Sequence, residues 1–186
     1  ASRQYRNADI FGYSKPYLIF ICIASLFYLF IGLMFQRKLM KLFQIKDKNI
    51  AIAIISIFFG TNTFYYCVCE PGMSHIYSFA FVSAFIFFIA RFFIEGRSSD
   101  ILYVCISLAI VLLIRPINIL ILLAIPFISG EERILKQGFV LIVKRYRVAC
   151  FGILLMCLII GVQLVIYKIS SGSFFAKTTF LIIIKY

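Results

Sequence analysis

Long apolar runs without a charged residue set the strongest limit on how this chain can fold. The first, residues 17–35, contains no Asp, Glu, Lys or Arg. A helix of this length spans about 28 Å, close to the hydrocarbon thickness of a bilayer. Such runs recur along the chain, which is 63% hydrophobic and 14% charged, whereas soluble domains are about half apolar and a quarter charged. The recurrence predicts a polytopic membrane protein and is not explained by one cleavable signal peptide.

The predicted fold is all-α, a polytopic transmembrane helix bundle of about six membrane segments. They cover residues 17–35, 50–68, 75–94, 101–114, 117–128 and 148–167. Three regions are expected: an extracytoplasmic stub (1–16), a transmembrane helical domain (17–168) and a truncated extracytoplasmic tail (169–186). Because the chain begins without Met, we expect it to be a piece of a longer protein.

Two short segments joined at Arg115-Pro116 are favoured over one long kinked helix. A single helix over residues 101–128 would be about 42 Å long and would hold Arg115 near mid-membrane, at a cost of several kcal/mol. With two segments, 12 of the 19 Lys and Arg residues fall in cytoplasmic loops, five of them in the loop predicted at residues 129–147, as the positive-inside rule requires. Residues 60–81 and the turn at Arg115 are then both extracytoplasmic.

The formal charge of +12 does not indicate nucleic-acid binding, because the basic residues sit in short patches beside apolar runs, as in membrane-flanking loops. Cys67 and Cys69 are too close for a usual metal knuckle, and no second pair completes a zinc site. The sequence therefore predicts no nucleic-acid partner, no metal, no cofactor and no disulfide framework.

The link at residues 60–81 collects polar and ionisable side chains but no Lys or Arg. Ser74 is placed to cap the next helix, with His75 in its first turn, where free N–H groups favour an anion such as a lipid phosphate. The alternative is a plain helix cap followed by an interfacial aromatic residue. Tyr65 and Tyr66 suit stacking on a sugar ring, although an aromatic belt at the lipid–water interface is the favoured explanation for them.

Acidic and basic candidates complete the predicted site. Glu70 could serve as a base or orient a sugar hydroxyl, or simply be solvated, and Asp9 is the other extracytoplasmic acid. Arg115, with Asn118 beside it, can offer a fork of donors to a phosphate, or it can reach the headgroups and only mark the turn. The catalytic residue stays unassigned, with Glu70 and Asp9 as candidates.

Four short motifs carry a family resemblance. FGYSKPY, GTNTFYY, EPGMSHIYSF and LLIRPINILILL resemble motifs of bacterial multi-pass glycosyltransferases of the C-type (GT-C) superfamily. These are relatives of the dolichyl-phosphate-mannose protein mannosyltransferases and of enzymes that add sugars to lipid A. The resemblance implies transfer of a sugar from a polyprenyl-phosphate carrier to a lipid, glycan or protein acceptor on the outer face of the bacterial inner membrane.

The chain departs from this family in one respect. The family's catalytic acid lies in a large loop after the first transmembrane helix, and this chain is expected to begin after that point, so the isolated piece is expected to be inactive. Two alternatives remain: a fragment of a transporter or flippase, and a membrane assembly protein without catalytic activity. The expected partners are the sugar donor, its acceptor and membrane lipids.

Overall fold

The computed structural model describes residues 15–171, and every regular element in that range is helical. The elements, in chain order, are α1 (Lys15–Leu42), α2 (Asp47–Gly60), α3 (Thr63–Val68), α4 (Ser74–Glu95), α5 (Ser98–Ile114), a 3-10 helix (Pro116–Ala124), α6 (Ile125–Ser129), α7 (Glu132–Lys144) and α8 (Tyr146–Ser171). The predicted all-α class is confirmed.

Three of the described helices, α1, α4 and α8, are long and apolar enough to cross a membrane. Only 6% of the most apolar stretch of α8 and 17% of that of α1 are buried inside the protein, against 56% for α4. Water is a poor solvent for so many exposed apolar side chains. Their exposure on α1 and α8 therefore indicates that lipid covers these helices.

The chain divides into two units, the first ending at Phe87 and the second beginning at Phe88. In the first unit α1 packs closely on α4 at Gly32. A Cβ atom at this glycine would come within 2.5 Å of the Phe79 ring and 3.3 Å of the Ala80 Cα. A residue without a side chain therefore allows the two backbones to approach, as small residues do between membrane helices.

Two hydrogen bonds connect α1 to its neighbours within this unit. Ser25 Oγ donates to the Cys67 carbonyl at 3.3 Å, and Gln36 Nε2 donates to Ser83 Oγ at 3.0 Å. Ser25 and Ser83 are both buried. Because a buried polar group is costly without a partner, each bond favours this arrangement of helices over alternatives.

The second unit contains the last turns of α4 together with α5, the 3-10 helix, α6, α7 and α8. Here α5 packs on α8, and a Cβ atom at Gly152 would lie 2.9 Å from Cys105 Sγ. Gly96 joins α4 to α5 with a φ of +64°, in the left-handed region that glycine adopts without strain at a helix C-terminus. The Arg145 guanidinium donates to the Gly96 carbonyl and so ties the start of α8 to this turn.

The break near Arg115 agrees with the sequence prediction. Helix α5 ends at Ile114, Arg115 is extended (φ −151°, ψ 113°), and Pro116 opens a 3-10 helix. Proline removes an N–H donor and disfavours helical geometry in the residue before it. Residues 101–114 and 117–128 therefore do not form one continuous α-helix.

Two sequence predictions about helices are wrong. Residues 50–68 were expected to form one membrane segment, but α2 ends at Gly60 and α3 begins at Thr63. With 14 residues, α2 is about 21 Å long, short of the bilayer core. Six membrane segments are thus not confirmed.

The second error concerns residues 129–147, expected to be a basic loop. Most of this region is helix α7, with 13 residues. Its apolar residues recur at helical spacing between the charges, which is the pattern of an amphipathic helix rather than of a loop. The sequence prediction gave weight to the basic residues and overlooked the helical spacing of the apolar residues between them.

Candidate functional site

The polar link begins where Thr61 interrupts the backbone between α2 and α3. Thr61 is extended (φ −122°, ψ 172°), its hydroxyl donates to the Ile57 carbonyl at 2.6 Å, and it accepts the Thr63 N–H at 3.2 Å. The two threonine hydroxyls are also 2.6 Å apart, so Thr63 is the donor in that bond. This local network satisfies backbone groups that a continuing helix would have paired, and it fixes the change of direction.

Residues after α3 form a tight turn that leads into α4. The Cys69 N–H donates to the Tyr65 carbonyl at 2.8 Å, and the Met73 N–H donates to the Glu70 carbonyl at 3.0 Å. Tyr77 Oη donates to the Pro71 carbonyl at 3.3 Å, which connects the first turns of α4 to the link. The turn is therefore held at both ends, and its side chains have defined positions.

Two pairs of side chains, which we call the link cluster, meet around this turn: Tyr65 of α3 with Glu70 of the turn, and Tyr66 of α3 with His75 of α4. Tyr65 Oη donates to Glu70 Oε1 at 3.0 Å. This hydrogen bond to a carboxylate raises the pKa of the Tyr65 phenol above its usual value of 10.0, because losing the phenol proton would leave two anions side by side. Tyr65 is 48% exposed, and Glu70 is half-buried.

The Tyr66 ring stacks on the His75 imidazole, with ring centroids 4.0 Å apart and planes at 22°. Tyr65 meets Tyr66 edge-on at 5.6 Å. Tyr66 also packs against the buried cluster of Leu29, Cys67 and Ile76. One face of Tyr66 is thus covered by His75, so of the two predicted sugar-stacking rings Tyr65 is the more accessible.

The helix start differs slightly from the sequence expectation. Ser74 is the first residue of α4 rather than the residue before it, and His75 follows in the first turn. Both side chains are half-buried. His75 therefore lies in the expected turn, but the same turn also packs its ring against Tyr66.

Arg115 and Asn118 lie on the second predicted part of the site, between α5 and the 3-10 helix. The Arg115 N–H donates to the Val111 carbonyl at 3.1 Å, and the Asn118 N–H donates to the Arg115 carbonyl at 3.0 Å. Both residues are half-buried. The backbone thus places the two residues on one turn, and a phosphate contact shared by their side chains stays a prediction.

The predicted residues fall into different units. Tyr65, Tyr66, Glu70, Ser74 and His75 belong to the first unit, whereas Arg115 and Asn118 belong to the second. That the two groups face one ligand stays a prediction. Asp9 lies outside the described residues.

A buried ion pair was missed by the sequence analysis. Asp100, in the first turn of α5, has no exposed surface. Both of its carboxylate oxygens accept from Arg91 Nε at 3.1 Å, and Arg91 Nη2 donates to the same carboxylate. An Arg near the end of one helix and an Asp in the first turn of the next were a usable signal, since a short turn brings such positions together.

Among residues 15–171, no three His, Cys, Asp or Glu side chains come together as a metal site would need. Comparisons of the chain with protein-family models, curated proteins and solved structures find no match. Any assignment of function therefore depends on the residues and geometry of the chain itself.

Proposed function

We propose that this chain is part of an integral membrane glycosyltransferase that moves a sugar from a polyprenyl-phosphate carrier to a lipid, glycan or protein hydroxyl. We place the reaction on the extracytoplasmic face of the bacterial inner membrane. The proposal combines the motif resemblance with the all-helical region 15–171, in which three helices are candidate membrane spans. The C-type superfamily is the class with which the motifs agree.

The observation that carries the proposal is the link cluster. It brings together a half-buried carboxylate, an exposed phenol and a stacked Tyr–His pair around the turn that leads into the candidate membrane span α4. Sugars are bound by such combinations, because carboxylates accept hydrogen bonds from hydroxyls and aromatic faces cover the apolar C–H faces of the ring. A purely structural aromatic belt does not require the carboxylate.

The proposed reaction is a direct displacement at the anomeric carbon. A general base takes the proton of the acceptor hydroxyl, whose oxygen then forms the new bond to the anomeric carbon. Among the described residues, Glu70 is the candidate for this base. The bond from that carbon to the carrier phosphate breaks, and the phosphate leaves with its electron pair and negative charge. Arg115 and Asn118 are the groups proposed to donate hydrogen bonds to that phosphate.

The test uses membranes that contain the full natural protein and a radiolabelled polyprenyl-phosphate sugar. If Glu70 acts as the base, Glu70→Gln should lower transfer by about 10²- to 10⁴-fold, with normal insertion and accumulation. Arg115→Lys keeps the charge but loses the fork of donors, so its activity should fall between that of the wild type and that of Arg115→Ala. Glu131→Gln is the matched control for Glu70, since it removes an exposed acid from a region predicted to be cytoplasmic.

Two results would count against the proposal. Unchanged sugar transfer in both Glu70→Gln and Arg115→Ala would mean that Glu70 is only solvated and that Arg115 only marks the membrane topology. An absence of transfer by the wild type, tested with several sugar donors and acceptors, would reject the enzyme itself.

A transporter or flippase is the second candidate, and one specific observation favours it. The apolar helix α5 stops at Arg115 and continues as a 3-10 helix, and interrupted helices line the substrate sites of many transporters. Flipping of a fluorescent lipid-linked sugar in vesicles, measured without any acceptor, separates the two functions. Flipping that is lost in Arg115→Ala but kept in Glu70→Gln would favour transport.

A further inference from the structure

Helix α7 has one face that is held by the protein. Gly138 lies on this face, where a Cβ atom would meet the Phe93 ring at 2.5 Å, and Leu141 lies near Gly96 in the turn between α4 and α5. Ile134, Leu135 and Ile142 are half-buried on the same side. The helix is thus fixed along the second unit and does not project freely from it.

A second apolar strip on α7 is not covered by the described protein. Phe139 is 65% exposed and Val143 is 69% exposed. At 100° per residue these two side chains lie beside the protein-facing side, so in the second half of α7 the apolar face extends around more than half of the helix. In the first turn, the exposed Glu132 occupies this strip. Large apolar side chains left this exposed in water would be costly.

The remaining arc of α7 is basic. Arg133, Lys136, Gln137 and Lys144 are exposed there, and they line an open groove of about 670 Å³ together with Glu132, Val140 and Leu141. Lys136 pairs with Glu132 at 2.6 Å. Residues 131–147 contain five basic and two acidic side chains, and this excess of positive charge suits an anionic surface.

The direct connection of α7 to the candidate membrane span α8 indicates where the anionic surface lies. Helix α7 ends at Lys144 and the candidate membrane span α8 begins at Tyr146. A 13-residue helix is about 20 Å long, too short to cross the bilayer itself. A short amphipathic helix joined directly to the end of a span lies at the membrane surface.

We propose that α7 is an interfacial helix that inserts Phe139 and Val143 among lipid acyl chains and binds anionic phospholipid headgroups through Arg133, Lys136 and Lys144. Charge complementarity selects the occupant, because a neutral surface would leave the basic arc without a counterpart. The proposal does not depend on the proposed enzymatic function. It gives the basic region 129–147 a physical role beyond setting topology.

The test measures the depth of α7 in nanodiscs that contain one full chain each. A nitroxide is attached through an unnatural ketone side chain at position 139 or, in a separate sample, at position 137, which leaves the six native Cys residues intact. Collision with oxygen, which concentrates in the bilayer, should dominate at position 139, and collision with a water-soluble nickel complex should dominate at position 137. A label at position 143 repeats the lipid-facing measurement should the label at 139 disturb folding.

Headgroup binding is tested at the same label. Nanodiscs with 30% phosphatidylglycerol should draw the position-139 label deeper than nanodiscs of phosphatidylcholine alone. The double variant Arg133→Gln and Lys144→Gln should lose this dependence of depth on phosphatidylglycerol. Each charge removed should weaken the binding of α7 to anionic over neutral lipid about fivefold. The control, Lys15→Gln with Lys168→Gln, removes two basic residues from other helices and should leave the label at 139 unchanged.

Three results would overturn the proposal. Nickel collisions that dominate at positions 139 and 143 would place α7 in water. Protection of these positions from both reagents would mean that protein covers the strip. A depth that does not respond to phosphatidylglycerol would remove the anionic headgroup as the ligand.

Discussion

The buried carboxylate of Asp100 gives the sharpest test of how the second unit is held together. Asp100 has no exposed surface, and the Arg91 guanidinium donates to both of its oxygens. Arg91 itself keeps 20% of its side chain exposed and lies over the Phe88 ring at 5.2 Å. The variant Asp100→Asn keeps the size of the side chain but removes its charge, so Arg91 loses the buried carboxylate to which it donates.

The expected loss of stability follows from this geometry. Removing one partner from a buried ion pair costs about 3–5 kcal/mol, because the other charge stays buried without compensation. Arg91 recovers part of that loss through its exposed fraction and through the aromatic ring, which attracts a cation by about 0.5–2 kcal/mol. We therefore expect Asp100→Asn to lower the free energy of unfolding by about 2–4 kcal/mol.

The chain offers a matched control in Asp47. Like Asp100, it is an acid in the first turn of a helix with a basic partner, Lys41, at 3.2 Å. Its side chain, however, is 79% exposed, so Asp47→Asn should cost about 1 kcal/mol or less. The difference between the two variants isolates the effect of burial from that of the helix dipole.

The measurement is reversible unfolding in mixed micelles of dodecyl maltoside and sodium dodecyl sulfate, followed by far-ultraviolet circular dichroism. The double variant Arg91→Met with Asp100→Asn should be more stable than Asp100→Asn alone, since no buried charge remains unpaired. The reasoning is refuted if Asp100→Asn unfolds at the same detergent fraction as Asp47→Asn, or if the double variant is the least stable of all.

Two further predictions concern the first unit and the link. Gly32→Ala should be less stable than Gly161→Ala by about 1–3 kcal/mol in the same assay. The new methyl at position 32 meets the Phe79 ring, whereas open space surrounds Gly161. Equal stabilities of the two variants would contradict the close packing of α1 on α4. The Tyr65 phenol should titrate above 10.0 in ¹³C NMR of labelled tyrosine, and Glu70→Gln should bring it down toward 10.0. Because the pKa of the Tyr65 phenol is raised on folding, the stability from its hydrogen bond to Glu70 is present below about pH 10 and is lost as the pH rises through the folded pKa. A Tyr65 pKa that Glu70→Gln leaves unchanged would contradict this hydrogen bond.

The link cluster shows how much of a site can be predicted from residue types alone. Sequence reasoning selected Tyr65, Tyr66, Glu70 and His75 because polar residues are rare in this chain, and all four meet around the turn between α3 and α4. It did not anticipate which would pair. The Tyr66–His75 stack depends on how the turn at Pro71 folds back, and no local pattern encodes that distance.

Helix α7 was missed for a different reason: its signal was present in the sequence but was misinterpreted. Its pattern of apolar residues was present in the sequence, but the weight given to the basic residues as topology markers led to a predicted loop. An amphipathic helix at a membrane surface contains both signals at once, since the charges face headgroups while the apolar residues face lipid and protein.

The sequence by itself determined the membrane class, the three long helices α1, α4 and α8, and the interruption at Arg115-Pro116. These features are local: an uncharged run of sufficient length needs lipid around it wherever it lies, and proline lacks its N–H in every context. Only the tertiary structure decided that Asp100 is fully buried and that Gly32 admits the Phe79 ring. Burial and close contact depend on which helix lies alongside, and that choice is made by packing between segments far apart in the chain.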